Sequence, residues 1–192
     1  VAERLGCRRI YTSAASVTTI HHTAKPRIWA VPNTGELIPE IRGFENTVLM
    51  SDLDGAGGGG SITGLNGVLL GVAQARDMEA ICLMGEVPYY LQGAPWPYPK
   101  ASISVLELLG SILRVPLDLH ELQETAAKVE ANVDHILDAL AHADELPEQV
   151  REEMESLRHP RHAQRGPITE NEQKEILEHI DELFKGEVGN GS

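Results

Sequence analysis

The sequence has few aromatic residues, few basic residues and only two cysteines. Aromatic residues make up 4% of the 192 residues, whereas hydrophobic residues as a whole make up 42%, so any core is mainly aliphatic. Cys7 and Cys82 are too far apart for a CxxC zinc site and too few for a disulfide scaffold. We therefore expect a reduced, cytoplasmic setting. We also predict no bound metal and no cofactor.

Positive charge is scarce throughout the chain. There are 16 Lys and Arg residues against 29 Asp and Glu residues, a formal net charge of −13. Nucleic-acid-binding proteins usually carry a basic face, and anionic membrane surfaces attract basic segments. Because no apolar run reaches the roughly 18 residues that a membrane span requires, we predict neither a nucleic-acid nor a membrane partner.

The order of predicted elements indicates an α/β protein. Strand-like segments at 27–31, 47–53 and 78–84 alternate with helical patterns at 62–76 and 100–113. This alternation predicts βαβ units and a largely parallel sheet. The chain starts at Val1 rather than Met, and residues 1–7 are typical of a helix interior, so we expect an N-terminally truncated piece of a longer protein.

The composition changes at Asp118, where the chain becomes acidic and helical. Apolar residues recur at heptad spacing from Leu119 to Ala143, which favours an amphipathic helix that packs on the core or on a partner. We divide the chain into an α/β core at 1–116 and a helical extension at 117–192. The extension is predicted to contain a helical hairpin and a terminal helix.

A glycine-rich segment at 52–71 permits two interpretations. Gly55, Gly57 and Gly60 form a GxGxxG pattern between a strand and a helix, the context of a dinucleotide-binding loop. Four consecutive glycines at 57–60, however, satisfy almost any glycine pattern, and no Walker lysine follows.

The second interpretation is close packing of the helix that follows this segment. Small residues recur at intervals of 4, 3, 4 and 4 and give the helix one smooth face: Gly60, Gly64, Gly67, Gly71 and Ala75. Each helical glycine costs about 0.8–1 kcal/mol relative to alanine, so the series favours close approach of another backbone. Because Leu65, Val68, Leu69 and Val72 line the opposite face, we expect this helix to be buried on both sides.

Polar residues at the predicted strand ends are candidates for chemistry. Glu86 follows a buried strand, and in a parallel sheet it would share one crevice with Asp52 and Asp54. Paired carboxylates can serve acid–base chemistry or bind a metal, but the favoured interpretation is that Asp52 and Asp54 cap the turn and the helix. His21 and His22 would point to opposite faces of a strand and would not chelate together unless they lie in a loop. No catalytic set emerges.

Three motifs resemble the PAC2 family of proteasome assembly chaperone 2-like proteins. They are SITGLNGVLLG at 61–71, AICLMGEVP at 80–88 and the His22–Thr23–Ala24–Lys25–Pro26 segment. The resemblance implies a three-layer αβα fold like that of nucleoside phosphorylases. It also implies homo-oligomers, often trimers or tetramers, and in some members a role in assembling the proteasome α-ring. Unlike archaeal members with a hydrophobic-tyrosine-x tail, this chain ends Gly-Asn-Gly-Ser.

The leading hypothesis is a non-enzymatic, oligomeric assembly chaperone or scaffold, with itself and proteasome subunits as candidate partners. The alternative is a small-molecule or nucleotide-binding protein that uses the glycine-rich loop. Under the first hypothesis, Gly67→Leu should break oligomerisation or folding, while Glu86→Gln should do little. The candidate ligand or interface residues are His22, Asp54, Gly57, Gly60, Gly64, Asn66, Gly67 and Glu86.

Overall fold

The computed structural model describes residues 1–52, 62 and 64–142, with side chains up to residue 139. Within these residues, four strands form the sheet: β1 (Arg9–Thr18), β2 (Ile28–Pro32), β3 (Thr47–Leu49) and β4 (Glu79–Pro88). The same described ranges contain four α-helices: α1 (Ile38–Arg42), α2 (Gly64–Gln74), α3 (Pro99–Leu113) and α4 (His120–His142). None of the helices in these described ranges is long and apolar enough to cross a membrane.

The sheet is mixed, so the predicted largely parallel arrangement is wrong at one junction. The strand order is β1-β4-β2-β3. β1 runs parallel to β4, and β2 runs parallel to β3, but β2 and β4 are antiparallel. The physical reason is the short, helix-free connection between β1 and β2, because a parallel return requires a crossover of about a dozen residues or more.

Helices cover both faces of the sheet. On one face, Ile41 of α1 and Leu108 of α3 pack with Ile28 and Ile81. On the other face, Leu70 and Ala73 of α2 pack with the buried Trp29. The predicted α/β class is confirmed, and this chain has its helices in two layers around the sheet. The more specific likeness to nucleoside phosphorylases stays a prediction.

Strand β4 forms the centre of the core because it is apolar along most of its length and pairs on both sides. Gly85 in this strand lies directly beneath α3. A Cβ added there would lie 2.7 Å from the Ala101 carbonyl oxygen and 3.0 Å from the Ala101 Cβ. A glycine is therefore required for α3 to pack closely on the sheet.

Helix α4 begins shortly after Asp118, whose Oδ1 accepts a hydrogen bond from the His120 backbone N–H at 3.1 Å. Its heptad residues Ala126 and Val133 are buried, and the helix packs against α3. The first part of the heptad stripe thus folds back onto the core. The remaining predicted helices lie outside the described residues, and the division of the chain at 116/117 stays a prediction.

Candidate functional site

Two of the predicted site residues, His22 and Glu86, lie at the same edge of the sheet, near the carboxyl ends of β1 and β4. They belong to a group of polar residues that we call the strand-end cluster: His22, Arg27, Glu86, Tyr90, Tyr98, Lys100, Glu130 and Asp134. His22 lies in the turn after β1, Glu86 lies near the end of β4, and Glu130 and Asp134 come from α4. The cluster therefore joins the sheet to α4.

His22 is fully buried and is hydrogen-bonded through both ring nitrogens. Its backbone N–H donates to Tyr90 Oη at 2.8 Å, and the same hydroxyl lies 2.8 Å from ring Nδ1. Ring Nε2 lies 2.8 Å from Asp134 Oδ1. Because a carboxylate oxygen accepts hydrogen bonds, His22 Nε2–H donates to Asp134, while ring Nδ1 pairs with the Tyr90 hydroxyl.

The His22 carbonyl is a second anchor point. It accepts hydrogen bonds from Tyr98 Oη at 3.1 Å and from Lys100 Nζ at 2.8 Å. Lys100 also pairs with Glu130 of α4 at 2.6 Å. Burial raises the pKa of the Tyr98 hydroxyl above its ordinary value, and nearby Tyr90, Glu130 and Glu86 raise it further. Tyr98 therefore remains a neutral hydrogen-bond donor at neutral pH.

The described hydrogen bonds of the Glu86 carboxylate all come from donors within the protein. It is fully buried, and it accepts hydrogen bonds from the Arg27 backbone N–H at 2.8 Å, from Arg27 Nη2 at 2.9 Å and from Trp29 Nε1 at 3.1 Å. The Arg27 guanidinium also lies over the Trp29 ring, 5.2 Å from its centroid. These donors satisfy the carboxylate within the protein, so Glu86 stabilises the fold here and presents no vacant acceptor.

The two adjacent histidines do not lie on a strand. Both His21 and His22 lie in the turn between β1 and β2, and their ring centroids are 4.2 Å apart. Within residues 1–52, 62 and 64–142, no group of three or more His, Cys, Asp or Glu residues is placed to hold a metal ion. The chemistry of the histidine pair in the described structure is thus hydrogen bonding within the fold.

The predicted crevice shared by Glu86 and Asp52 does not form. Asp52 follows β3, whose Leu49 pairs with Ala30 toward the carboxyl end of β2. Glu86 instead bonds Arg27, just before β2 begins. The two carboxylates lie at opposite ends of β2 because β4 is antiparallel to β2. The predicted residues Asp54, Gly57 and Gly60, and the GxGxxG pattern with them, lie outside the described residues.

A small cavity of about 240 Å³ opens at the carboxyl ends of β2 and β3. Ala30, Pro32, Ile38 and Met50 supply its apolar lining, and Asn33 and Ser51 supply polar groups. Neither His22 nor Glu86 lines it, and typical ligand pockets measure about 300–1,000 Å³. The small-molecule hypothesis therefore gains no support from the strand-end cluster.

Helix α2 is buried on one side only, so the prediction of burial on both sides is wrong for the single chain. Leu70 and Ala73 face the sheet. Leu65, Val68 and Val72 are 73%, 60% and 48% exposed. Gly64, Gly71 and Ala75 are exposed as well. We call these six residues the exposed α2 face; they are apolar or small, and none is charged.

The other two predicted residues of α2 act at its start. Gly67 approaches the chain just before the helix, where an added Cβ would collide with the Ile62 carbonyl oxygen. Asn66 Nδ2 reaches the Ser13 carbonyl oxygen of β1 at 3.4 Å. Gly64 has a φ of 70°, a conformation that glycine adopts easily. Asn66 therefore contacts β1 and Gly67 contacts the segment before α2, whereas a Cβ added at Gly64 or Gly71 would meet none of the described atoms within 4 Å.

Sequence reasoning missed Tyr90, Tyr98, Glu130 and Asp134. Glu130 and Asp134 are four residues apart and so lie on one side of α4. An acidic pair on an acidic helix is, however, typical of solvated surface. The contact between His22 and Asp134 spans 112 positions of sequence. No local pattern connects partners so far apart.

Comparison with known proteins identifies the family. The model of the PAC2 family matches residues 1–137, which confirms the resemblance seen in the glycine spacing. An uncharacterised protein of Methanocaldococcus jannaschii, MJ1210, is 33% identical over 78 residues, or 41% of this chain and 28% of that protein. The match thus spans well under half of that relative.

Solved structures of similar fold come from archaea and bacteria. Pyrococcus furiosus PbaB, an archaeal proteasome activator, matches 70% of this chain and 53% of its own, with a TM-score of 0.56 and 26% identity. The match to Mycobacterium tuberculosis Rv2714, a protein of unknown function, covers 82% of this chain and 48% of Rv2714, with a TM-score of 0.59 and 25% identity. The match to a PAC2 family protein of Streptomyces avermitilis covers 74% of this chain and 55% of that protein, with a TM-score of 0.58 and 25% identity. The chain spans about half the length of each.

Proposed function

Because this chain belongs to the PAC2 family, we propose that it is a non-enzymatic, oligomeric assembly chaperone or scaffold that acts through protein–protein contacts. The candidate partners are further copies of itself and proteasome subunits. The likeness to PbaB, a proteasome activator at 26% identity, supports a proteasome-related partner.

The observation that carries the proposal is the exposed α2 face. Leu65, Val68 and Val72 place adjacent apolar side chains in water, with Leu65 73% exposed. Residues 64–75 contain no charged side chain, in a chain whose formal net charge is −13. Contiguous apolar surface without charge is typical of the centre of a protein–protein interface.

The small residues of this face suit a close contact. At Gly71 an added Cβ would meet no atom of the described residues within 4 Å, so packing within that part of the chain does not require glycine there. A helix of a second copy that crosses at Gly64, Gly71 and Ala75 could bring its backbone near. We propose that this contact builds a trimer or tetramer.

The strand-end cluster supports the non-enzymatic part of the proposal. A catalytic centre needs polar groups that are free to bind substrate, in a concave site. His22 and Glu86 are instead fully buried and bonded to protein partners. His22 links the turn after β1 to α4, and Glu86 links β4 to Arg27 and to Trp29 of β2.

Two thiols support a cytoplasmic location within the same proposal. Cys7 is exposed and free, and Cys82 is buried and free. Unpaired cysteines of this kind are typical of reducing compartments.

The test compares Val68→Lys with Gln74→Lys in the full chain. Both residues are exposed on α2 and gain the same charge, but only Val68 lies on the exposed α2 face. Native mass spectrometry and sedimentation velocity should show an oligomer for wild type and Gln74→Lys and a smaller species for Val68→Lys. Binding to purified proteasome α subunits should fall in parallel.

A folded Val68→Lys protein with wild-type mass and wild-type binding would contradict the proposed role of this face. A wild-type protein that binds no proteasome α subunit but carries a stoichiometric small molecule would favour the alternative hypothesis of a ligand-binding protein.

A further inference from the structure

Helix α4 docks on the core through contacts that are distant in sequence. Glu130 Oε2 lies 2.6 Å from Lys100 Nζ, and Asp134 Oδ1 lies 2.8 Å from His22 Nε2. Val133, between the two carboxylates, is buried, and the helix packs on α3. We call His22, Lys100 and α3 the α4 socket. Its contacts select a helix that carries two carboxylates four positions apart with an apolar residue between them.

Few apolar side chains of α4 are completely buried in this contact. Within the described part of the helix, Ala126 and Val133 are buried, whereas Leu122, Val129 and Ile136 are half-buried. The hydrophobic contribution to docking grows with the apolar area removed from water. Helix α4 therefore leaves the socket at a smaller cost than a helix from the centre of the core, and the two carboxylate contacts supply much of the selectivity.

The link from α3 to α4, residues 114–119, reverses the chain tightly and under strain. Arg114 has a φ of 53°, in the left-handed region that residues other than glycine rarely adopt. A Cβ added at Gly110 would lie 3.1 Å from the Val115 carbonyl oxygen, so the link lies close over the end of α3. Pro116 disfavours the α conformation at Val115 and favours an extended chain there. Opening of the link therefore relieves strain.

We propose that α4 exchanges between two copies of the chain, so that the α4 of each copy fills the socket of the other. The docking contacts identify the occupant, because a second copy carries the same Glu130, Val133 and Asp134 that the socket holds within one chain. The exchanged dimer keeps every docking contact while each link straightens, and short links under strain favour such an exchange.

The length of the link permits the exchange. Six extended residues span about 20 Å, which exceeds the 8–10 Å that separates two packed helices. The inference goes beyond the proposed function, since each socket is completed by two carboxylates of the partner chain. It also provides a route to self-association that does not use the exposed α2 face.

The test places reversed charges on separate chains. Lys100→Glu and Glu130→Lys each bring like charges together in the socket of a single copy. In a mixture of the two variants, an exchanged dimer pairs opposite charges in both of its sockets, which neither a monomer nor a homodimer achieves. The double variant Lys100→Glu/Glu130→Lys is the matched control, because its own α4 restores the pair. Every chain also carries Val68→Lys, which removes association through the exposed α2 face.

We expect native mass spectrometry of the co-refolded mixture to show at least about tenfold more mixed dimer than either homodimer, because like charges in the socket oppose docking. Hydrogen exchange along α4 should be slow in the mixed dimer and in the double variant, and fast in each single variant alone. In a chain with Val68→Lys as its only substitution, the dimer fraction should rise with concentration.

A second comparison, Arg114→Gly with Asp77→Gly, tests the strained link. Both residues have a φ of 53°, and glycine adopts this conformation easily. Only Arg114 lies in the link, so Arg114→Gly should lower the dimerisation constant about tenfold, while Asp77→Gly should leave it unchanged. Sedimentation velocity on chains that carry Val68→Lys measures both. This comparison decides the matter if the charge-reversed double variant does not fold.

A mixture with no more mixed dimer than random pairing gives would overturn the proposal, since α4 would then dock only within its own chain. Single variants that remain unfolded when mixed, while the double variant folds, would overturn it too. So would equal dimerisation constants for Arg114→Gly and Asp77→Gly. Mixed dimers in a protein that binds no proteasome α subunit would support the exchange and contradict the proteasome-related part of the proposed function.

Discussion

The strand-end cluster and the exposed α2 face use opposite kinds of residue for opposite purposes. The cluster is built from ionisable side chains, yet His22 and Glu86 are fully buried and bonded within the chain. The α2 face is built from glycine and aliphatic residues, yet Leu65 is 73% exposed. The ionisable residues of the strand-end cluster stabilise the fold, and the aliphatic residues of the exposed α2 face remain available for contact with a partner. Residue type alone therefore does not assign a role.

The largest expected effect tests the structural role of the cluster through Glu86. Sequence alone predicted little effect of Glu86→Gln, but the substitution removes a buried charge and turns an amide donor toward the Arg27 donors. We expect a loss of about 2–3 kcal/mol in the free energy of unfolding, moderated because Arg27 reaches solvent. Urea unfolding followed by tryptophan fluorescence measures it.

Glu107→Gln is the matched control for that measurement. Glu107 pairs with Lys25 at 2.8 Å on the surface, so its substitution should change stability by less than about 0.5 kcal/mol. Equal losses of unfolding free energy in Glu86→Gln and Glu107→Gln would contradict the structural role of the buried Glu86.

The second effect separates two glycines of α2 that differ in how closely other atoms approach them. Gly67→Ala forces a Cβ against the Ile62 carbonyl oxygen, and we expect a loss of about 1–3 kcal/mol. Gly71→Ala adds a methyl group to open space and should stabilise the monomer by about 0.5–1 kcal/mol through helix propensity. Thermal unfolding checks both. A Gly71→Ala protein that is more stable but dissociates more easily would indicate close packing against a second copy.

A third effect measures how firmly the cluster holds α4. Asp134→Ala leaves the buried His22 Nε2–H without its acceptor, so we expect a loss of about 1–2 kcal/mol and faster hydrogen exchange along α4. Glu124→Ala removes only an exposed contact with His120 and should leave exchange in α4 unchanged. Unchanged α4 exchange in Asp134→Ala would argue against the hydrogen bond as an anchor.

The smallest effect depends on pH. Tyr98→Phe removes one of two donors to the His22 carbonyl, and we expect a loss of about 1 kcal/mol at pH 7. The folded-state pKa of Tyr98 is raised above its ordinary value of 10.0, so above pH 10 only the unfolded chain ionises this residue. Wild-type stability therefore falls as pH rises through this range, and the gap to Tyr98→Phe narrows. Urea titrations at pH 7 and pH 11 measure the difference in unfolding free energy between wild type and Tyr98→Phe. An equal difference at both pH values would mean that the Tyr98 hydroxyl is exposed to water and not buried.

Much of the fold could be predicted from local patterns. The apolar run at 78–84 predicted the buried strand β4, and the heptad spacing after Leu119 predicted α4. The glycine spacing of α2 predicted the family. Each of these signals lies within one segment, where side-chain period and backbone preference act together. Element existence was therefore easier to predict than the partners of each element.

The candidate site was harder to predict because its contacts are distant in sequence. Trp29 and Glu86 are 57 positions apart, and His22 and Asp134 are 112 apart. The sequence placed Glu86 beside Asp52 on the assumption of a parallel sheet. The antiparallel pairing of β2 with β4 separates them.

By itself, the sequence determined which segments are strands and helices, the acidic surface and the glycine face of α2. These properties follow from composition and from periodicities of two and 3.6 residues, which act locally. Only the tertiary structure decided that Glu86 pairs with Arg27 and Trp29, that α4 is fixed through His22, and that Leu65, Val68 and Val72 stay exposed. Burial and hydrogen-bond partners depend on how distant segments meet, and the direction of a single strand, β2, determined which residues meet.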